Sequence, residues 1–586
     1  MKKFRFSLPK VLIFAGVTAL LLIISVFAFL MMPAYAASAN TLAFVKDAVT
    51  QQQKIEQELH TYYQAGKFTF AVPMVIQNPY QTAPLTALVI FDTPEDSQVS
   101  IHVPGKTAQA AVDFTFPGFQ KHHEIPIYGL YAGALNQVKV SMKTQAGQYA
   151  ENTLDLQTEP LSVDIQKFSV DKVDPVKYNP GFNFTAMNQK PVFDINGDVR
   201  WYSTEKSWTV YTPLKNGRFL YTYEANGQRG DVLMEKDLLG KIYTVYNIAG
   251  GIHHDIYELP TGNLLVTSSD PKATTTEDII LEIERDSGHI VRYFDMKNIL
   301  DQNRLPMMDF GPLDWLHMNS IVYDPADQSI IVSGRAQSSV VKLNYPGMQI
   351  KWILGPHDNW SQKYQPYLLT PVGKDFEWAW EQHHATLFSP DVPGDHLIEI
   401  LLFDNGLFRS FDPAQVLSPN NSYTRVVHYR INEAAMTIEQ VWEYGKARGS
   451  AIFSYEVGSA YHLANGDVLG NWGTIAKDAQ GRPLTIKHPK DNADVKIIEV
   501  DPATNTVIFE CSVANTTNYR TLRVGFYDGY SETNAYLSTT LNNTTGNDLV
   551  DRYFLVTQDL KKWTYSNSAP LALIRFIKSL RLLVTR

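Results

Sequence analysis

Three histidine motifs stand in similar local settings in this chain. They read Gly251-Ile252-His253-His254-Asp255, Asp314-Trp315-Leu316-His317-Met318-Asn319-Ser320 and Glu381-Gln382-His383-His384-Ala385. The first two run into strand-like stretches that begin at Tyr257 and Ile321. One residue type recurring at equivalent points of a repeating fold can converge on a common axis. Imidazole can act as base, acid or nucleophile near neutral pH. Asn319 lies two residues past His317 and shares its side of an extended chain. Arg335 ends Ile331-Val332-Ser333-Gly334-Arg335, where the glycine permits a close backbone approach. Two or three imidazoles, an amide and a guanidinium form a cationic, donor-rich pocket. Such a pocket suits a tetrahedral oxyanion such as sulfate or phosphate.

A His-His pair also suits metal ligation. No His-Glu-x-x-His motif is present, and the carboxylates close to the histidines in sequence are few: Asp255, Asp314 and Glu381. A glycine-rich phosphate loop is also absent from the sequence, which argues against a nucleotide-bound donor. The expectation is a site without metal or cofactor.

Elements of one kind must position these residues. Beyond about residue 170 the chain is short strands separated by Gly, Asn, Asp and Pro turns, an all-β pattern. One hairpin type recurs six times: Pro191–Asp194 with Val199–Tyr202, Val232–Met234 with Ile242–Tyr246, Ile280–Ile283 with Ile290–Phe294, Val340–Leu343 with Ile350–Ile353, Val426–Tyr429 with Val441–Tyr444, and Ile497–Val500 with Val507–Phe509. Further strands such as Asn263–Val266, Ser329–Val332 and Gly466–Leu469 lie between them. Two hairpins per unit give four-stranded blades, so the expected fold is a six-bladed β-propeller over 166–586. A large sandwich or barrel is the alternative. Residues 67–165 alternate as strands and predict a small β-sandwich. Over 37–66 the spacing of Leu42, Val45, Val49, Ile55, Leu59 and Tyr62 predicts one amphipathic helix. The helix and the sandwich edges are candidate dimer surfaces.

The chain has 586 residues, 44% hydrophobic and 19% charged, which is globular and long enough for two or three domains. A net charge of -9 argues against a nucleic-acid binder. Lys2, Lys3, Arg5 and Lys10 precede an uncharged run from Val11 to Met32, and Ala34-Tyr35-Ala36 follows. Residues 1–36 therefore read as an export signal, with an uncleaved membrane anchor as the alternative. Either places the bulk of the chain outside the cytoplasm, in the periplasm or beyond. The one cysteine, Cys511, excludes an intramolecular disulfide and sits on the apolar side of a strand with Val507, Phe509 and Val513.

As a set, His253-His254-Asp255, Asp314 to Ser320, Ser333-Gly334-Arg335 and Gln382-His383-His384-Ala385 resemble the motifs of the bacterial arylsulfate sulfotransferases. His123-Glu124-Ile125-Pro126-Ile127-Tyr128-Gly129-Leu130 resembles a further motif of theirs. The resemblance spans about residues 70 to 560. It implies a six-bladed propeller behind a β-sandwich in an exported, often dimeric protein. It also implies transfer of a sulfuryl group from a phenolic sulfate ester to a phenol, with no nucleotide donor. Carried over by motif, His383 would be the transiently sulfated nucleophile, with His317, Asn319, Arg335 and His253 or His254 around it; His253 is favoured by its context. Known members carry a cysteine pair near the site, and this chain departs from them there. Two other readings stay open: a non-catalytic propeller binding anionic polymers, and a metal-dependent hydrolase. Trp315, Phe376, Trp378 and Trp380 are candidates for an aromatic slot or for core.

Overall fold

The structure is a computed structural model. It describes residues 47–531 and 536–537, apart from 163, 206, 226–227, 249, 305–310, 391 and 485–491. The expected signal or anchor over 1–36 lies outside the described residues, as do Leu42 and Val45 of the expected helix. No helix among the described residues is long and apolar enough to cross a membrane.

Six sheets repeat one antiparallel meander, counted here from the inner strand outward. Blade 2 runs Ser207–Pro213, Phe219–Ala225, Gln228–Lys236, Ile242–Asn247. Blade 3 runs Ile252–Glu258, Leu264–Ser268, Ile279–Ile283, Ile290–Asp295, and blade 4 Met318–Asp324, Ser329–Gly334, Ser339–Asn344, Ile350–Leu354. Blade 5 runs His383–Leu387, Leu397–Asp404, Arg425–Asn432, Thr437–Tyr444, with Thr370–Val372 added in parallel outside. Blade 6 runs Ser459–His462, Val468–Lys477, Asn492–Asp501, Thr506–Val513. The inner strands of successive blades 2 to 6 pack side by side around the centre. The architecture is all-β, and each hairpin read from the sequence is the outer pair of one blade.

Both ends of the propeller chain lock the ring. Blade 1 comprises Phe182–Thr185, Val192–Phe193 and Val199–Trp201, and Thr521–Val524 from the far end supplies its inner strand. Ser169–Val173 pairs in return with the outer strand of blade 6. Middle strands are covered on both faces by neighbouring blades, so Ile279–Ile283 is buried at all five positions and does not alternate. Outer strands such as Ile290–Asp295 are apolar only in part. The buried Lys342 ammonium meets Asp324, Asp327 and Glu433 at 2.8–3.0 Å. Cys511 is buried in the apolar core as expected, and burial pushes its thiol well above the usual range.

Ahead of the propeller, a six-stranded sheet between Met74 and Gln157 is organised around the 17-residue strand Ala87–Val103, which pairs with four of the others. Its first half pairs with Met74–Gln77 and Gln120–Ile127, its second with Val112–Thr115 and Leu135–Thr144. A strand that changes partners midway in this manner makes the corner of a sandwich. The His123 to Leu130 motif serves docking: the Gly129 carbonyl accepts from Arg200 Nε of blade 1 at 2.9 Å, and Tyr527 donates its hydroxyl to the Pro126 carbonyl at 2.7 Å.

The helix over 47–65 buries Val49, Ile55 and Leu59. Tyr62, expected on that face, is 62% exposed. The packed face is not wholly apolar. Gln52 accepts from the Ile242 backbone N–H at 2.7 Å and donates to its carbonyl at 2.9 Å, capping the edge strand of blade 2. Buried Glu56 meets Lys241 at 3.1 Å. Polar residues thus share the packed face, which an apolar periodicity cannot reveal.

Candidate active site

The three motifs occupy equivalent points. His253 is the second residue of the inner strand of blade 3, His317 directly precedes that of blade 4, and His383 opens that of blade 5. Each entry is distorted. His254, His317 and His384 have φ of 61°, 52° and 50°. Pairing registers shift beside them, between Ile252 and Ile256, Met318 and Ser320, and His383 and Thr386. Left-handed residues that are not glycine cost free energy and cluster where geometry serves function. The bulges break strict alternation, and His383 and His384 are both buried among the central strands, with separate partners: Asn405 for His383 and the Ala460 carbonyl for His384.

The middle of the cluster is Glu277, to which no sequence motif pointed. Its Oε1 lies 3.2 Å from His253 Nδ1, and its Oε2 lies 2.8 Å from His254 Nε2 and 2.9 Å from His317 Nδ1. Asp314 adds Oδ2 at 2.9 Å from the same His317 nitrogen. Glu277 is held by its backbone: its N–H donates to Ser269 Oγ at 2.8 Å and its carbonyl accepts from Met318 N at 3.2 Å. Of the carboxylates named from the sequence, Asp314 joins the histidines, Asp255 takes Arg520 Nη1 at 2.6 Å, and Glu381 takes Arg335 Nη2 at 3.1 Å. Glu277 sits in a loop with no fixed spacing to any histidine, so only the fold brings it in.

Burial and charge divide the imidazoles. Burial alone would lower His317, but Glu277 and Asp314 outweigh it and raise it to about 9. His254 is lowered to about 4 by burial, which Glu277 offsets only in part. His383 is lowered well below its ordinary value, by burial and then by the Arg335 charge. His384 is lowered likewise, by burial and then by Arg520. Burial would raise Glu277, yet His317, His254 and His253 pull it well below the carboxylate range. At neutral pH one imidazolium, His317, therefore stands beside neutral His254 and His383.

The rings of His254 and His317 are 4.7 Å apart, and His254 stacks on Tyr519 at 5.7 Å. His383 meets the same Tyr519 edge-on at 6.2 Å. His254 thus occupies the inner position, while His253, favoured from sequence, lies outside it against Glu277 and Ser269 Oγ, the latter at 3.0 Å from Nε2. Arg335 reaches Glu381 and, at 3.2 Å, the Tyr455 carbonyl. A Cβ on Gly334 would stand 2.5 Å from Leu316 Cδ1, so the close approach read from the sequence is present. Asn319 donates to the Gln382 carbonyl at 2.7 Å, next to His383, and its buried Oδ1 has no partner among the described residues. Two further residues were missed. Asn405 accepts at 2.7 Å from His383 Nδ1, and Arg520 donates to the Asn319 carbonyl at 2.9 Å. Asn405 precedes a glycine, a pairing that reads simply as a turn.

The aromatic candidates separate by packing. Trp315 is fully buried core and donates to Asp278 at 2.9 Å. Phe376 and Trp378 pack against the core between blades 4 and 5. Trp380 joins an apolar group with Leu407, Phe408, Phe411, Phe453 and Tyr455, whose Tyr455 carbonyl holds Arg335. Donor atoms of His254, Glu277 and His317 lie within 4.8 Å of one another and could hold a metal ion. As placed, Glu277 Oε2 is already shared by the two imidazoles at hydrogen-bond distance.

A model of the arylsulfotransferases (ASST) matches residues 139–520, and one of the arylsulfotransferase Ig-like domain matches 74–159. The chain belongs to the arylsulfotransferase family. It is similar to the arylsulfate sulfotransferase AssT of Escherichia coli O6:H1 (strain CFT073), with 27% identity covering 77% of this chain and 92% of that protein. It is also similar to AssT of Lelliottia amnigena, at 25% identity with the same coverage. Every site residue described above, from His253 to Arg520, lies inside the span matched by the family model.

Proposed function

We propose that this chain transfers a sulfuryl group from a phenolic sulfate ester to a phenol through a sulfated His383. The observation that carries the reading is the pairing of a neutral buried His383 with the Arg335 cation and the His317 imidazolium in one cluster. His383 supplies a lone pair, an N–S bond forms, and the S–O(aryl) bond breaks. The departing phenolate takes the proton of His317. Arg335, with its planar fork, and the second amide proton of Asn319 meet the sulfuryl oxygens as charge builds. In the return step the acceptor phenol gives its proton to His317 and its oxygen attacks sulfur. The N–S bond then breaks and the lone pair returns to His383. Glu277 and Asp314 keep His317 protonated, and His254 occupies the inner position beside it.

The test is intact-mass analysis after mixing with an aryl sulfate and no acceptor. The expected result is one added SO3, mapped to His383 and discharged by a phenol. An unmodified enzyme that still releases phenol would end this reading. Metal-dependent hydrolysis is the second reading, favoured by the His254–Glu277–His317 group. Loss of rate on chelation, restored by Zn²⁺ alone, would select it. The basic start and the Val11 to Met32 run support work outside the cytoplasm.

A further inference from the structure

His383 Nδ1 and Asn405 Oδ1 are 2.7 Å apart. Which of them donates is settled by what surrounds the amide. Asn405 Nδ2 donates to two backbone carbonyls, Ser454 and Val457, each at 2.9 Å. Turning the amide over would point its oxygen at both carbonyl oxygens and its NH2 at the imidazole. The orientation is therefore fixed by three partners, and Oδ1 can only accept. His383 Nδ1 must carry a hydrogen, and in a neutral ring Nε2 then holds the lone pair. Asn405 itself is fully buried, and its carbonyl accepts from Thr424 Oγ1 at 2.8 Å. Nothing about it is free to adapt.

We propose that Asn405 is the positioning residue that selects the Nδ1–H tautomer of His383 and presents Nε2 to sulfur, and that an amide stands there because a carboxylate would protonate the nucleophile. The inference rests on the sulfohistidine reading above. A carboxylate opposite an imidazole favours imidazolium, which has no lone pair to attack with. The same site shows that effect at His317, held between Glu277 and Asp314. Other ionisable groups near His383 include Arg335, with Glu381 behind it, His254, His317 and Tyr519, and His384 next to it in the chain. The amide adds a hydrogen bond to this setting without adding charge.

Two measurements test this. In wild-type enzyme trapped with aryl sulfate, the sulfohistidine is compared with synthetic Nδ1- and Nε2-linked standards. The Nε2 isomer is expected, and the Nδ1 isomer would overturn the inference while leaving the sulfohistidine reading intact. Absence of any sulfohistidine would remove both. The second measurement is the pH profile of the first half-reaction in Asn405→Asp and Asn405→Ala. Asn405→Asp should move the acid limb upward, so that its loss is roughly tenfold greater near pH 6 than near pH 8. Asn405→Ala should lower the rate across the range without moving that limb, by up to about 10⁴-fold, the scale set by a wrong tautomer in a hydrolase triad. An acid limb unmoved in folded Asn405→Asp would refute the role. If that variant fails to fold, the isomer found in wild type decides.

Discussion

Replacing Glu277 by Gln keeps the shape at the centre of the site and removes one charge. In the wild type His317 is raised from 6.5 to about 9 despite burial, by the charges of Glu277 and then Asp314 and by its hydrogen bonds to both. At about 1.4 kcal/mol per pH unit, the folded site prefers protonated His317 by about 3 kcal/mol. Glutamine forfeits the strongest of the raising charges, and the burial penalty then acts with less opposition. The sign follows from the role. In the proposed mechanism His317 works as the protonated acid, so activity should fall as pH rises through its pKa. Glu277→Gln should therefore bring the basic limb of kcat/KM down by at least about one pH unit. The assay is kcat/KM from about pH 5 to 10 with two donors, a nitrophenyl sulfate and a plain phenyl sulfate. The nitrophenolate leaves without much help, whereas a phenol with pKa of about 10 needs the proton. The variant should lose far more with phenyl sulfate, most of all above neutrality. Equal losses for both donors, with an unmoved basic limb, would show that Glu277 only holds the fold.

Arg335→Lys should lower kcat/KM about a hundredfold, because an ammonium cannot keep Glu381 and bridge two sulfuryl oxygens; an unchanged value would place Arg335 outside the chemistry. In Gly250→Ala the new Cβ would stand 1.7 Å from the Ser269 carbonyl oxygen, and Ser269 holds both His253 and Glu277, so turnover should drop about a hundredfold in folded protein. Lys342→Ala leaves buried Asp324 without its cation, while Asp327 and Glu433 keep Lys351, and should cost about 3 kcal/mol in denaturant unfolding, with little effect on the pH profile of any folded remainder. His254, His123 and His428 are each lowered to about 4 by burial, and burial also lowers His383 and His384 well below their ordinary value. The unfolded chain binds protons at these sites from about pH 6.5 downward while the folded chain does not, so Tm should fall from about pH 6.5 toward 4; a flat Tm there would contradict the buried neutral state.

The blades were legible because each outer hairpin carries an apolar strand, a polar turn and a second strand, a local pattern. The motif histidines were legible because they recur at one point of that pattern. Glu277 and Asn405 were not, since each meets its imidazole only through pairing between distant strands, Glu277 from a loop and Asn405 from beyond the strand that pairs with His383. The choice of His254 over His253 for the inner position was hidden for another reason. A bulge with φ of 61° at His254 overrides the two-residue alternation on which any strand reading depends.

The strand Thr521–Val524 closes the ring, and the two residues directly before it, Tyr519 and Arg520, are the ones that touch His254, His383, Asp255 and Asn319. Circularising the propeller and finishing the site are thus a single event. A chain still being made, or one cut short before this segment, can hold folded blades but lacks the strand and side chains that tie the centre together. An unfinished molecule thus carries the motif histidines in its blades without the side chains that join them at the centre.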